Sequence, residues 1–236
     1  MKIAFWGGEH GCGTTSNMFV IATLLAVRYD YSIALASAKS IGEARFFDKT
    51  GIPEMSENDV VKEIIENRLY FVHKRQNNLS DTGSEKTEKR YEYIQNYFNR
   101  KMDFVFTDYG AGTDEWTKKQ LRQADLTVIN FNQSSKQLNN FFGNDFYISN
   151  NQIYFFSNYQ KNSIYNRKKI HSIYRINPKK MAVIPYNPEF AFACMQGKLD
   201  RYVKTSEQSA ATEQRYYFFR ELEHTLQVLM ENIGYF

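Results

Sequence analysis

The chain has 236 residues, of which 42% are hydrophobic, 16% aromatic and 24% charged, a composition that suits one domain with a substantial core and excludes collagenous and disordered classes. Its 30 Lys and Arg against 26 Asp and Glu give a net charge of +4, too mild over the whole molecule to mark a nucleic-acid binder by charge alone. Cys12 and Cys194 are the only cysteines and the four histidines are scattered, so neither a disulfide framework nor a patterned metal site is expected.

Seven apolar runs of strand length recur along the chain: KIAFW near residue 3, SIALAS near 32, LYFVH near 69, DFVFTD near 103, LTVINF near 126, QIYFFS near 152 and MAVIPY near 181. Most are continuous rather than alternating, which is how strands read when helices cover both faces of a parallel sheet. The segments between them predict helices over 15–27, 58–66, 87–98, 115–123, 135–142, 189–195 and from about 210 to 232. The polar stretch 74–89 reads as an exposed connection. The alternation of strand and helix predicts one α/β domain over 1–236, doubly wound, with a mostly parallel sheet of about seven strands flanked by helices.

The run MFVIATLLAV (18–27) falls short of the roughly 18 residues that a membrane span needs and is expected to be a buried helix. The opening MKIAFWGG breaks at glycine too soon for a signal peptide, so a cytoplasmic location is expected. Phe219, Leu222, Leu226, Leu229 and Ile233 form a single apolar stripe on the last helix, which is expected to lie on the sheet.

Directly after the first strand comes GGEHGCGTTS, covering Gly8, Glu9, His10, Gly11, Cys12, Gly13, Thr14, Thr15 and Ser16, and the apolar helix follows at once. Strand, glycine loop and helix are the context of the phosphate loop G-x-x-x-x-G-K-[ST], in which backbone amides cradle phosphate and a hydroxyl ligates Mg²⁺. Thr14 stands where that pattern has lysine. Taken bare, the glycines fit a tight structural turn as well as a phosphate site. The fourth strand ends in DYGAG, which puts Asp108 where a carboxylate can hold Mg²⁺ through water and Gly112 where an amide can meet a γ-phosphate; a capping aspartate in an ordinary turn is the alternative.

GGEHGCGTTS, DYGAG, QADLTVINFNQS, FFSNYQ and VIPYNPEFAFACMQGK together resemble, in order, the landmarks of the MinD/ParA group of deviant P-loop ATPases, from Lys2 to about Val203. The resemblance implies a P-loop NTPase-like fold, binding of ATP or ADP with Mg²⁺, a homodimer and a role in positioning cellular cargo. Gly8, Gly11 and Gly13 then fall on loop glycines, Thr15 on the Mg²⁺-ligating hydroxyl, and Asp108 and Gly112 on the switch residues. Asn158 falls near the adenine-binding asparagine, with Pro185 and Tyr186 in the base-side loop.

The departures from the family are as informative. Its two loop lysines correspond to Glu9 and Thr14, and the second strand ends ALASAK, with Ala36, Ser37 and Ala38 in place of aspartates. A charge-assisted hydrogen bond is worth about 1.5–3 kcal/mol, so the missing lysine weakens triphosphate binding by one to two powers of ten. Hydrolysis is expected to be weak or lost, and the chain reads as a scaffold with a degenerate Walker A loop, similar in this to TadZ-type pilus-localisation proteins. A partner-stimulated ATPase, its lysine supplied by Lys2 or Lys39, is the alternative.

Between Asp145 and Glu189 there is no acidic residue, while Lys161, Arg167, Lys168, Lys169, Arg175, Lys179 and Lys180 contribute +7 and leave −3 for the rest. With Tyr159, Tyr165, His171 and Tyr174 interleaved, residues 159–180 and above all Arg167, Lys168 and Lys169 form a candidate surface for DNA, anionic lipid or an acidic protein. A solvated helix face is the competing reading.

Overall fold

The computed structural model describes residues 1–37, 54–56, 59–74, 84–143, 151–205 and 212–234. The strands are β1 (Lys2–Gly7), β2 (Ile33–Ser37), β3 (Glu54–Ser56), β4 (Asp59–Ile65), β5 (Leu69–Lys74), β6 (Phe104–Asp108), β7 (Leu126–Phe131), β8 (Gln152–Tyr159) and β9 (Met181–Pro185). The helices are α1 (Thr14–Arg28), α2 (Ser84–Asn99), α3 (Glu115–Gln123), α4 (Ser135–Gly143), α5 (Arg167–Tyr174), α6 (Pro188–Met195), α7 (Leu199–Lys204) and α8 (Glu213–Asn232).

All seven expected strands form and lie parallel in one doubly wound sheet, ordered β3-β4-β5-β2-β6-β1-β7-β8-β9 among the described residues. The two further strands pair antiparallel at one edge. β1 lies between β6 and β7, so the chain reverses its winding there, and the carboxyl end of β1 is the switch point where α/β sheets take their ligands.

Alternation along the strands sorts side chains between two helical layers. Ile3 and Phe5 of β1 join the core under α1, α7 and α8, with Phe19, Phe106 and Phe218. Ala4 and Trp6 face the opposite layer, with Leu121 of α3, Leu138 of α4 and Ile170 of α5. α1 is buried along most of its length because α7 and α8 cover the side turned away from the sheet. The apolar stripe of the last helix lies on the sheet as expected, with α8 packed against β9.

One expectation is overturned. Residues 58–66, expected as a helix, contain β4, which turns through Glu66, Asn67 and Arg68 to pair with β5. Asn67 takes the left-handed conformation (φ 57°) that such a short hairpin loop requires. α5 forms within 159–180, where a solvated helix face was the competing reading, and α7 forms where no helix was expected. Ala38, Lys39, residues 75–83, Asp145 and Ala210 lie outside the described residues.

Candidate phosphate-binding site

The loop between β1 and α1 is shaped by close approach. A Cβ on Gly7 would stand 2.6 Å from both Cys12 Sγ and Thr14 Oγ1, so the end of β1 can carry no side chain while the loop folds back over it. Gly7 N donates to Gly110 O at 2.7 Å and Gly8 N to Asn130 O at 3.1 Å, which pins the loop between the ends of β6 and β7. Gly13 caps α1 in the left-handed conformation (φ 73°) without a side-chain hydrogen bond, and the first helical turn carries no acidic residue. The helix therefore presents its first amides uncapped, with the positive end of its dipole at the loop.

Thr15 and Asp108, 93 residues apart in sequence, meet here. Thr15 Oγ1 donates to Asp108 Oδ2 at 2.5 Å, and Gly110 N donates to Asp108 Oδ1 at 2.7 Å. Asp108 is 2% exposed, at the last position of β6 and level with Phe5 of β1. Trp6 Nε1 donates to Gly112 O at 2.7 Å, which holds the far end of the DYGAG turn against β1. A hydroxyl beside a carboxylate is an oxygen donor set of the kind that would suit Mg²⁺.

The two positions that depart from the family pattern are both occupied by tethered or buried side chains. Thr14 is buried, and its hydroxyl lies under the loop toward Gly7. Glu9 accepts from Gln137 Nε2 of α4 at 3.3 Å, and Gln137 in turn accepts from Asn132 N at 3.0 Å, so the Glu9 carboxylate is drawn toward α4. Ser37 of β2 lies in register with Asp108, and no carboxylate stands on the described end of that strand. Cys12 is buried, its thiol donates to the Glu9 carbonyl, and burial pushes its pKa above the ordinary thiol value. His10 and Gly11 are exposed at the loop tip, and Ser16 Oγ donates to Gly13 O at 3.0 Å.

The residues expected on the base side lie at the carboxyl ends of β8 and β9. Asn158 is exposed with φ 49°, at a register shift in β8. Pro185 ends β9, and Tyr186, half exposed, donates its amide to Tyr159 O at 3.1 Å. A strand spacing of about 4.8 Å puts β8 and β9 about 10 and 14 Å from β1, a span that suits a nucleotide laid across the strand ends. Of the basic trio, Arg167 is tied to Glu221 of α8 at 2.5 Å, whereas Lys168 and Lys169 are exposed on α5.

Sequence reasoning missed Asn17, Asn130 and Ser157, which form a buried hydrogen-bonded set behind the loop. The available signal was Asn130 inside the otherwise apolar run LTVINF, since a buried amide needs partners. Among the described residues no group of three or more His, Cys, Asp or Glu comes together, and no helix is long and apolar enough to cross a membrane.

No protein-family model matches the chain, and no curated protein sequence does. Solved structures do. A ParA family ATPase from Chlorobium tepidum TLS aligns with a TM-score of 0.68 at 12% identity, over 96% of this chain and 97% of that one. The septum site-determining protein MinD complexed with Mg-ADP from Pyrococcus horikoshii aligns with a TM-score of 0.67 at 10% identity, over 98% and 99%. A putative plasmid partition protein from Borrelia burgdorferi bound to AMPPNP gives 0.63 at 14% identity, over 98% of both chains. At such identities the likeness establishes the fold.

Proposed function

We propose that this chain is a nucleotide-binding protein of the MinD/ParA kind in which hydrolysis is weak or lost, and that it serves as a cytoplasmic, homodimeric scaffold in spatial positioning or assembly, similar in its degenerate loop to TadZ-type proteins. The observation that carries the reading is the Thr15–Asp108 hydrogen bond beside the uncapped start of α1, a phosphate and Mg²⁺ constellation that persists without either loop lysine. The ligands named for two of the similar folds, Mg-ADP and AMPPNP, support nucleotide as the occupant.

In this reading the amides of Gly13 to Ser16 hold a phosphate group, and Thr15 with Asp108 holds Mg²⁺, which supplies the positive charge the loop lacks. Asn158, Pro185 and Tyr186 face the base. Thr14 offers no charge to a β- or γ-phosphate, and Ser37 offers no carboxylate to an attacking water. Losing one preorganised donor costs about 10²–10³ in rate, so the two losses together leave little catalysis. Comparing ATP turnover of the wild type with that of a Thr15→Ala, Asp108→Ala double variant tests this: equal, near-background rates are expected, and robust turnover abolished by the two changes would overturn the inactive-scaffold reading.

A second reading, a partner-stimulated ATPase that engages DNA or an anionic membrane, draws on the acid-free segment 151–188 beside the β9 edge, where Lys161, Lys168, Lys169, Arg175 and Lys179 are exposed. Duplex DNA or anionic vesicles that raise turnover severalfold would favour it.

A further inference from the structure

Behind the loop, uncharged side chains from three elements decide which way one of its peptide groups faces. Ser157 of β8 donates its hydroxyl to the Cys12 carbonyl at 2.5 Å. The same oxygen accepts from Asn17 Nδ2 at 2.7 Å, and that nitrogen also donates to Asn130 Oδ1 at 2.8 Å. Asn130 Nδ2 donates to the Trp6 carbonyl of β1 at 3.1 Å. All three side chains are buried, so the set is cut off from water and internally satisfied.

In a planar trans peptide the carbonyl and the following N–H point in opposite directions. Drawing the Cys12 carbonyl onto Ser157 therefore turns the Gly13 N–H away from β8. The contact is close: a Cβ on Gly13 would stand 3.0 Å from both Cβ and Oγ of Ser157. Among the described residues, the amides of Gly13, Thr14, Thr15 and Ser16 donate to no protein acceptor. Successive free N–H groups of this kind make an anion-binding concavity, and its affinity rises when their directions are set beforehand.

We infer that Ser157, oriented by Asn17 and Asn130, is a positioning residue that aims the Gly13 amide at a bound phosphate group, so that neutral buried hydrogen bonds shape the cradle in a loop without lysine. The inference rests on the phosphate-binding reading above and names what orients that site. It differs from a purely structural role for Ser157, which would show in stability alone.

The test follows amide resonances of the ¹⁵N-labelled full chain during separate titrations with inorganic phosphate and Mg-ADP, for wild type and Ser157→Ala, with Tm measured for each. Phosphate is expected to shift the Gly13 to Ser16 amides of the wild type. In Ser157→Ala both midpoints are expected to rise about fivefold to tenfold, the equivalent of one lost hydrogen bond, with the Gly13 resonance already displaced before ligand is added. If Ser157→Ala does not fold, Asn17→Ser removes the orienting donor and is read the same way. Midpoints unchanged beside a lowered Tm would overturn the inference, as would a wild type whose loop amides ignore phosphate. Amides that answer phosphate but not Mg-ADP, with the Ser157→Ala shift intact, would end the nucleotide reading and leave the inference standing.

Discussion

The hydroxyl of Thr15 and the carboxylate of Asp108 lie 2.5 Å apart, joining the first turn of α1 to the last residue of β6. The bond stands at the point where the sheet reverses its winding, and in this account Mg²⁺ sits beside it. Asp108→Asn keeps the side-chain shape and removes the charge. It is expected to weaken nucleotide binding in the presence of Mg²⁺ about tenfold and to leave the metal-free titration unchanged. Equal loss with and without Mg²⁺ would mean that Asp108 only braces the loop.

Restoring charge to the loop tests the other half of the account. Thr14→Lys combined with Glu9→Lys should raise Mg-ATP affinity at least tenfold, because one change adds a donor to the phosphates and the other removes a carboxylate from the loop. Titration calorimetry reads this directly. No gain would indicate that the loop does not open to phosphate at all.

Gly7 offers a prediction independent of function. Its missing Cβ leaves room for Cys12 Sγ and Thr14 Oγ1, each of which would lie 2.6 Å from an added carbon. Gly7→Ala is expected to cost about 1–3 kcal/mol, with a Tm lower by about 2–10 °C. At Gly11 an added Cβ would meet nothing within 4 Å, but φ is +79°, so Gly11→Ala should cost only about 1 kcal/mol. Chemical melts of the two variants would rank them, and the reverse order would contradict the packing described.

The buried strands were legible because each is a continuous apolar run, and the glycine turn between β1 and α1 because its glycines fall between such a run and a helix. β4 was not legible. Its Val60, Val61, Ile64 and Ile65 recur at a spacing that also fits one face of a helix, and only pairing with β5 decides between the two periods. α5 showed no apolar stripe in the sequence because Ile170 is its one buried apolar residue. The set behind the loop escaped for a different reason: Asn17 lies 113 and 140 residues from Asn130 and Ser157, and nothing in a single sequence links neutral polar residues at that distance.

On the basic edge, the structure separates residues that the sequence grouped. Arg167 is paired with the well-buried Glu221, so Arg167→Ala is expected to lower stability by about 1 kcal/mol, or about 2–4 °C in Tm. Lys168 and Lys169 are exposed, so replacing both with alanine should leave Tm unchanged and weaken any salt-dependent binding to duplex DNA or anionic vesicles. Salt-independent binding, or a double lysine variant that binds as well as wild type, would remove this edge as a partner surface.

His224 on α8 supplies a pH dependence. Partial burial, with Arg167 nearby and against the pull of Glu221 and Glu231, lowers its pKa below the ordinary histidine value, so the unfolded chain takes up a proton that the folded chain resists. The neutral ring's contribution is present above the ordinary range and is lost as pH falls through that range toward the lowered folded value. His224→Gln is therefore expected to lose less Tm than wild type between about pH 7.5 and 5.5. Parallel curves for the two proteins would contradict the assignment.

The central claim, that a loop without lysine still binds nucleotide through backbone amides and Mg²⁺, is tested most directly by titrating Mg-ADP into the purified full chain in a calorimeter, with and without chelator. The account predicts saturable binding with one nucleotide per chain that chelation weakens about tenfold. Absence of heat at any ligand concentration up to the millimolar range, about −4 kcal/mol in binding free energy, would contradict it and leave the glycine turn as architecture alone.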